Sequence, residues 1–489
     1  MKHIKLSIIA TLLLTLPFGM VQAQKWLEMW QNPQGHSFFD IQKEFNDYFV
    51  SHDQGKGTGY KVFKRWEYYM EPRAGKDGKV MNPQARTFKN YMKYVQERTF
   101  VDPGDRTQSL NGDWTYFGAE DWVTSPAGYL PGNGRVNVIA FDPNNANTIY
   151  VGAPAGGLWR STDNGSSWSP LTDGIAFWGV SGIVVNPNNS NNIFILTGDG
   201  DGGSSRSAGV WQTTNGGTTW SPTGLFIDQY TSTLQGYKLL MDPSNSNIMY
   251  AVLNTSLRKT TDAGVTWTNI KNGYFRDMEF RPGTPNTLYL TGQNVVHRST
   301  NGGTTWTPVL TVPNAYRIAL AVSPANSNYI YALAGPSAGA GAFRGLWRST
   351  NGGNTWNMQA NTPNILSSSP TGSGSTDQSG YDLALAVSPT NINLLHSGGI
   401  NTWVSTNGGV AWTIQTYWNR NNASYQWMHG DVHELVYHGN TLYEGNDGGI
   451  SRTTNGGTNW VGTSAGLAIS EFYRFGGTPQ NANLYVGGT

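Results

Sequence analysis

The chain has 489 residues, including 61 glycines, 19 tryptophans and no cysteine, and only 13% of its residues are charged. Its 32 lysines and arginines nearly balance 31 aspartates and glutamates, so it lacks the basic excess that nucleic-acid binding needs. This composition is typical of a large, turn-rich β protein that depends on its packed core and not on disulfides.

The first 23 residues have the form of a secretory signal peptide. Two lysines precede an apolar run over residues 6–20, and the small-x-small sequence VQA ends at Ala23. The run is shorter than the ~20 residues that a membrane-spanning helix needs, and no later stretch of the sequence approaches that length. We therefore predict a secreted or cell-surface protein without a membrane span, exported through a cleaved signal peptide over residues 1–23.

The next stretch, residues 24–111, predicts a helical segment rich in aromatic residues. Apolar side chains recur there at spacings of three and four, which indicates helices that turn one face to a core. The stripes comprise Phe38, Ile41, Phe45 and Tyr48, then Val62, Trp66 and Tyr69, and then Phe88, Met92 and Val95. No function is assigned to this segment.

From residue 112 onward the chain predicts a β-propeller. An eight-residue box with the pattern S/T-x-D/N-x-G-x-x-W, such as "STNGGTTW" at 299–306, occurs seven times, with tryptophan-to-tryptophan steps of 39 to 56 residues. Strand-like runs precede the boxes, and four strands per repeat is the period of a propeller blade. We predict at least seven four-stranded blades over residues 112–489, with "DWTYFG" (113–118) as the first strand and the chain ending within an eighth repeat.

The boxes predict structure and not catalysis. Their third residue is Asp in two copies and Asn in five, which a general acid, base or nucleophile would not tolerate, whereas an Asx-turn needs only a side-chain oxygen that accepts backbone N–H groups. Glycine at position five suits a tight hairpin, and the tryptophan offers a large packing face. The turn residues are Asp163, Asn215, Asp262, Asn301, Asn351, Asn407 and Asn455, and the tryptophans are Trp168, Trp220, Trp267, Trp306, Trp356, Trp412 and Trp460.

The box is that of the Asp-box, or BNR, repeat, and the chain resembles exported propeller proteins of the Bacteroidetes type with sortilin-like and xyloglucanase-like relatives. The resemblance covers residues 112–489, and the runs "FNDYFVSHDQGKGTGYKVFKRWEYYMEPR" and "HGDVHELVYHGNTLYEGNDGGISRTTNGG" strengthen it. It implies the propeller fold and, in such relatives, further domains and a sorting tail for type IX secretion. It leaves the activity open, because one fold carries many sites.

The arginines argue against sialidase activity. The resemblance to sialidases implies three arginines that clamp a substrate carboxylate, but the Arg-Ile-Pro signature is missing and Arg135 is the nearest residue to it. The other repeated arginines precede their boxes at one fixed position, which predicts blade-to-blade contacts. These are Arg160, Arg298, Arg348 and Arg452.

A xyloglucanase-like hydrolase needs two facing carboxylates. The resemblance implies the first in a T-D-x-G-G motif of the opening repeat, where this chain has Pro154 and Ala155. It implies the second in a W-M-x-G-D motif, which "WMHGDV" at 427–432 matches with Asp431 as the candidate catalytic residue. Because half of the pair is missing, we predict a non-catalytic binding module for an extracellular peptide, protein or glycan, with glycoside hydrolysis of a plant-type polysaccharide as the alternative.

The same stretch raises the question of a metal site. If the segment is an inner strand, His429, Asp431 and His433 share one face at steps of about 6.5 to 7 Å. Two imidazoles and a carboxylate would suit zinc or another divalent first-row metal, and the alternative interpretation is hydrogen bonding at the propeller axis. No other cofactor is predicted, and the ligand-binding residues are unassigned.

Two further stretches are interpreted as loops. "GDGDGG" at 198–203 offers Asp199 and Asp201 but lacks the other acidic ligands of a calcium loop, so an extended glycine-rich loop is favoured. The stretch 367–380, rich in serine and glycine, is predicted to be a mobile loop at a blade edge.

Overall fold

The structure is a computed structural model that describes residues 25–31, 35–55, 58–79, 132–175, 179–229, 232–336, 343–375, 377–472, 474–478 and 481–488. The chain forms two compact units, Met1–Asp102 and Pro103–Thr489. The predicted signal peptide, the predicted stripe from Phe88 to Val95 and the strand predicted at 113–118 all lie outside the described residues.

The first unit contains a short helical segment, as predicted. Its helices are α1 (Lys25–Gln31), α2 (Phe38–Phe49) and α3 (Tyr60–Met70), followed by a 3-10 turn at Glu71–Arg73. Ser37 starts α2 with a capping box, because its side chain accepts from the backbone of Asp40 while the Asp40 carboxylate accepts from the backbone of Ser37. Among the described residues, no helix is both long and apolar enough to cross a membrane.

The buried face of α3 differs from the predicted stripe. Val62 and Tyr69 are exposed, whereas Phe63 and Met70 are buried. The reason is the ring of Phe63, which stacks on Phe45 of α2 with 3.7 Å between ring centroids. This aromatic contact shifts the buried face of α3 by one residue from the face that the apolar spacing predicted.

The second unit is a propeller of seven four-stranded antiparallel blades, which confirms the predicted all-β fold. Blade 1 has β1 (Val138–Asp142), β2 (Asn145–Ala153), β3 (Gly157–Ser161) and β4 (Ser169–Pro170); blade 2 has β5 (Val180–Val185), β6 (Ile193–Thr197), β7 (Gly209–Thr213) and β8 (Ser221–Phe226); blade 3 has β9 (Gly236–Asp242), β10 (Asn245–Leu253), β11 (Ser256–Thr260) and β12 (Thr268–Asn272). Blade 4 has β13 (Asp277–Arg281), β14 (Thr284–Thr291), β15 (Val295–Ser299) and β16 (Thr307–Thr311).

The remaining blades follow the same order along the chain. Blade 5 has β17 (Arg317–Val322), β18 (Ile330–Gly335), β19 (Gly345–Ser349) and β20 (Asn357–Ala360); blade 6 has β21 (Ala384–Val387), β22 (Leu395–Gly398), β23 (Thr402–Ser405) and β24 (Thr413–Tyr417), to which the short β25 (Gln426–Trp427) adds in parallel; blade 7 has β26 (Val432–His438), β27 (Thr441–Asn446), β28 (Gly449–Thr453) and β29 (Val461–Gly462). A two-stranded hairpin of β30 (Arg474–Thr478) and β31 (Asn481–Gly488) comes after blade 7.

The first strands of the blades form the wall of the axial channel. Each packs beside the first strand of the next blade, from β1 beside β5 through to β26 beside β1, so the ring closes. The apolar core lies between neighbouring blades: one cluster joins Tyr289 and Val296 of blade 4 to Ile318 and Ile330 of blade 5. In blade 5, β17 and β18 are buried on both faces and carry almost continuous apolar runs.

Each Asp-box is a tight turn held by its own side chains. The side-chain oxygen of the third residue accepts the backbone N–H four positions later, at 2.9 Å in all seven boxes. The hydroxyl of the first residue accepts the N–H of the fifth, as Ser161 does from Gly165 at 2.8 Å. The fourth and fifth residues have positive φ, a backbone region that favours glycine.

The boxes also join neighbouring blades. Tyr289 and Arg298 of blade 4 both donate to the carbonyl of Gly352, the fourth box residue of blade 5, at 2.9 and 2.8 Å. Arg160 donates in the same way to Gly216 of the next blade, so Arg160 and Arg298 make the blade-to-blade contacts predicted for them. At the closure, the indole N–H of Trp168 in blade 1 donates to a backbone carbonyl that follows blade 7.

The positive φ of the fourth box position predicts opposite effects for two substitutions. Ala263 occupies this position at φ 55, whereas Gly302 occupies it in the next blade at φ 63. Because an L side chain is strained there, we expect Ala263→Gly to stabilise the propeller by about 0.5 to 1 kcal/mol and Gly302→Ala to destabilise it by a similar amount. Urea unfolding of the two variants and the parent protein measures both shifts, and shifts of the same sign would contradict the argument.

Candidate functional site

The channel contains a polar cavity of about 320 Å³ along the propeller axis. Inside it, the ammonium of Lys238 lies 2.6 Å from Asp277 and 2.5 Å from Glu279. Burial by itself would lower the pKa of Lys238, but these two carboxylates raise it. Burial raises the pKa of the neighbouring Glu434 to about 8, so the cavity holds that carboxyl in its neutral form at neutral pH.

The mouth of the channel, where the first strands begin, is crossed by a network of ion pairs. The ring of His433 lies between Asp201 at 2.8 Å and Asp447 at 3.0 Å, and Arg317 pairs with Asp201 at 2.8 Å. Burial by itself would lower the pKa of His433, but its hydrogen bonds to the two carboxylates raise it to about 9. The network thus contains a buried imidazolium that joins blade 7 to blade 2.

The loop "GDGDGG" of blade 2 supplies the anionic side of this network. Both oxygens of Asp199 accept from the guanidinium of Arg135, at 2.8 and 3.3 Å, and one also accepts from Asn137. Asp201 is engaged by Arg317 and His433. Within this extended loop, the two aspartates therefore form ion pairs with cationic side chains.

Three arginines lie at the mouth: Arg135, Arg276 and Arg317. None of them belongs to the repeated arginines that directly precede the boxes in the sequence. Asp199 neutralises the first and Asp201 the third. Two of the three are thus committed to protein carboxylates, which leaves no arginine triad to clamp a substrate carboxylate.

Asp431 lies beside a separate pocket of about 310 Å³, to which blades 6 and 7 contribute. The pocket is lined by Ser368, Gln378, Ile400, Trp418, Trp427, His429, Gly430 and Asp431. The amide of Gln378 donates to Asp431 at 3.0 Å. Burial raises the pKa of Asp431, and the negative charge of the nearby Asp447 raises it further.

The two tryptophans of this pocket are fixed by their indole N–H groups. Trp418 donates to the carbonyl of Ser368 at 3.1 Å, and Trp427 donates to the carbonyl of Trp418 at 3.1 Å. Because the polar edge of each indole is tied to backbone, the pocket is lined by the apolar parts of two held rings. Such surfaces with a few polar groups between them are typical of small-ligand sites.

Comparisons with known proteins agree with this architecture. The family model of sortilin and neurotensin receptor 3 (Sortilin-Vps10) matches residues 156–294. A xyloglucanase of Hypocrea jecorina is 30% identical over 160 residues, which are 29% of this chain and 18% of that enzyme. The xyloglucanase Xgh74A of Acetivibrio thermocellus is 27% identical over 156 residues, which are 30% of this chain and 18% of that enzyme.

Among solved structures, the GH74 xyloglucanase of Xanthomonas campestris has a TM-score of 0.50 and 17% identity, and the match covers 71% of this chain and 56% of that one. Residues 156–294 are thus similar to sortilin-like propellers, and the likeness to the Xanthomonas enzyme shows the propeller fold. It spans little more than half of the Xanthomonas enzyme, and its matches to the curated xyloglucanases span less than a fifth of their length.

The carboxylate that xyloglucanases would place in the opening repeat is absent from the corresponding turn. Pro154 and Ala155 lie in the β2–β3 turn of blade 1, and the carbonyl of Pro154 accepts from Ser205. Two other carboxyls lie near Asp431 instead. Asp447 accepts from the hydroxyl of Tyr381 and from His433, and these contacts overcome the effect of burial and lower its pKa.

The second neighbouring carboxyl, Asp382, is buried. Neither of its oxygens has a hydrogen-bond partner among the described residues. Burial and the charge of Asp431 hold its pKa well above the usual range. Asp382 is therefore a carboxyl sealed from solvent, whose environment favours its neutral form.

The predicted arrangement of His429, Asp431 and His433 on one strand was wrong. β26 begins only at Val432, and Asp431 has φ 64, which ends the extended alternation at that residue. His433 turns to the axial network, while His429 and Asp431 line the pocket. In the part of the chain that the structure describes, no three His, Cys, Asp or Glu side chains are grouped so that they could hold a metal ion.

The loop predicted for residues 367–380 has a larger role than an edge loop. Ser367 and Ser379 are buried, Gln378 reaches Asp431, and the residues that follow place Tyr381 and Asp382 at the mouth. The sequence analysis could not assign a role to these residues, because a low-complexity stretch of small polar side chains shows no hydrophobic periodicity.

The imidazolium of His433 predicts a pH dependence of stability. Its folded pKa of about 9 exceeds the ordinary value of 6.5, so its contribution is fully present below pH 6.5 and is lost as the pH rises through 9. We expect the melting temperature to fall between pH 7 and 9.5, because roughly 3 kcal/mol of the free energy of unfolding is lost as His433 loses its proton. His433→Gln should start lower and show a flatter curve, and His438→Gln should follow the parent protein. Parallel curves for parent and His433→Gln would contradict this assignment.

Proposed function

We propose that this protein is an extracellular glycan-binding propeller, with its ligand in the pocket of Trp418, Trp427 and Asp431. The observation that carries the proposal is the pairing of two held indoles with the polar groups of Gln378 and His429 in one concave site. Indole rings offer apolar contact to the C–H faces of sugar rings, while amide, imidazole and carboxyl groups can hydrogen-bond their hydroxyls. The extracellular location rests on the predicted signal peptide.

Binding is favoured over catalysis by the state of the carboxylates around Asp431. An inverting glycosidase needs a second carboxylate that can activate water across a gap of about 6.5 to 9.5 Å. Asp447 is engaged by Tyr381 and His433, and Asp382 is buried with a raised pKa. Neither is available as a base in this arrangement. The named substrate of the similar xyloglucanases supports a glycan over a peptide.

The binding proposal is tested with substitutions in the pocket. Trp427→Ala and Gln378→Ala should each weaken binding to the best ligand of a panel of soluble polysaccharides, by about tenfold for the tryptophan. Trp306→Ala, which removes a box tryptophan of blade 4 bonded to its own turn, serves as the matched control and should keep full affinity. Affinity electrophoresis and calorimetry measure the change. Full affinity in both pocket variants would refute this site.

Glycoside hydrolysis is the second candidate, because one observation favours it. Asp431 stands in a W-M-x-G-D sequence, and its raised pKa is the property of a general acid. In that case Asp431 would protonate the leaving oxygen and Asp447, with its lowered pKa, would have to exchange Tyr381 or His433 for water.

Reducing-end release decides between the two candidates. On the binding proposal we expect bound polysaccharide without sustained release of reducing ends. Sustained release that Asp431→Asn abolishes, with an alkaline limb of the pH profile above the usual range of a carboxyl, would replace binding by hydrolysis. Ser368→Ala, which changes the pocket without touching a carboxyl, is the control for nonspecific loss of release.

A further inference from the structure

Arg276 differs from the other two arginines at the channel mouth. Arg135 and Arg317 each pair with an aspartate, whereas the partners of Arg276 are neutral groups. Its guanidinium donates to the hydroxyl of Tyr274 at 2.7 and 3.1 Å and to the carbonyl of Gly380 at 2.6 Å. It has no ion pair with any carboxylate in the described parts of the chain, so its charge is not balanced by direct contact.

Three tyrosines surround this guanidinium. The rings of Tyr237, Tyr274 and Tyr316 lie with their centroids 5.3, 5.3 and 5.1 Å from its central carbon. All three rings and the arginine are partly exposed, and Tyr237 and Arg276 also line the axial cavity. The cluster thus presents one cation and several phenols at the mouth of the channel.

The charge of Arg276 acts on its nearest phenol. Burial by itself would raise the pKa of Tyr274, but the guanidinium of Arg276 lowers it. Burial raises the pKa of the neighbouring Tyr237, and the charge of Asp201 adds to that rise. An anionic ligand group in contact with the guanidinium would be attracted to it in the same way as the Tyr274 phenolate.

A short segment joins this cluster to the glycan pocket. Gly380 accepts from Arg276, and Gln378, two residues earlier, donates to Asp431. Two residues span at most about 7 Å of backbone. The pocket residue Gln378 and the carbonyl that binds Arg276 therefore belong to one short segment of the chain.

We propose that the cluster of Arg276 with Tyr237, Tyr274 and Tyr316 binds the carboxylate of an acidic glycan, a chain that carries uronic acid residues and whose other rings occupy the tryptophan pocket. This inference rests on the proposed function and specifies its ligand. One guanidinium balances one negative charge, and the N–H groups of Arg276 that are not bonded to Tyr274 or Gly380 can donate to a carboxylate. The tyrosine rings add apolar faces, and their hydroxyls can bond the hydroxyls of the sugar.

The test compares uronate oligosaccharides as free acids with the same oligosaccharides as methyl esters. The two forms share every ring and differ only in charge. With the parent protein, calorimetry should give about tenfold tighter binding of the acid, as expected for a charge-assisted pair. Arg276→Gln should abolish this preference by weakening binding of the acid about tenfold more than binding of the ester, and Arg276→Lys should retain part of it. Arg281→Gln, at the opposite end of β13, is the control and should retain all of it.

Three outcomes would overturn the inference. Equal affinity for acid and ester in the parent protein would remove the carboxylate contact while leaving glycan binding intact. Equal weakening of both forms in Arg276→Gln would assign Arg276 a purely structural role through Gly380. Failure of every glycan, together with binding of a peptide with a terminal carboxylate in preference to its amide, would reject both the glycan and the proposed function.

Discussion

Everything in the propeller depends on the contact between the first and the last blade. A single blade is a four-stranded sheet with two apolar faces, and neither face is buried until a neighbour packs on it. Blade 7 meets blade 1 where β26 lies beside β1, and the indole of Trp168 donates across the junction. The repeated hydrogen bonds from one blade to the box carbonyl of the next fix the spacing of the other junctions. Closure of the ring thus joins seven sheets, each only marginally stable alone, into one folded unit.

The same closure allows charged groups to be buried at the axis. An unpaired charge there would be strongly destabilising, but residues from different blades meet at the centre of the ring and pair. Asp201 of blade 2 contacts Arg317 of blade 5 and His433 of blade 7. The network holds the loops at the mouth in fixed positions, and the pocket and the arginine cluster are built on those loops. Stability at the axis and geometry at the candidate site therefore have a common origin.

The segment from 377 to 382 connects these features. Gln378 donates to Asp431, Gly380 accepts from Arg276, Tyr381 donates to Asp447, and Asp382 is buried. One short stretch of chain thus contacts the pocket, the cation and the axial network together. The pKa values of the carboxyls near Asp431 shift in different directions, since burial and cationic neighbours act on each of them differently.

The sequence by itself determined the local features of this protein. The spacing of seven boxes predicted the blades, the Asp-or-Asn alternation predicted a turn whose side-chain oxygen accepts N–H groups, and "WMHGDV" pointed to Asp431. It also predicted His429 and His433 on one strand with Asp431, which a single positive φ prevents. Only the tertiary structure brought Trp418 and Gln378 into one pocket and Arg276 to the carbonyl of Gly380, because these residues lie up to a hundred and more positions apart. Their meeting depends on closure of the ring, a long-range constraint that no local pattern of residues encodes.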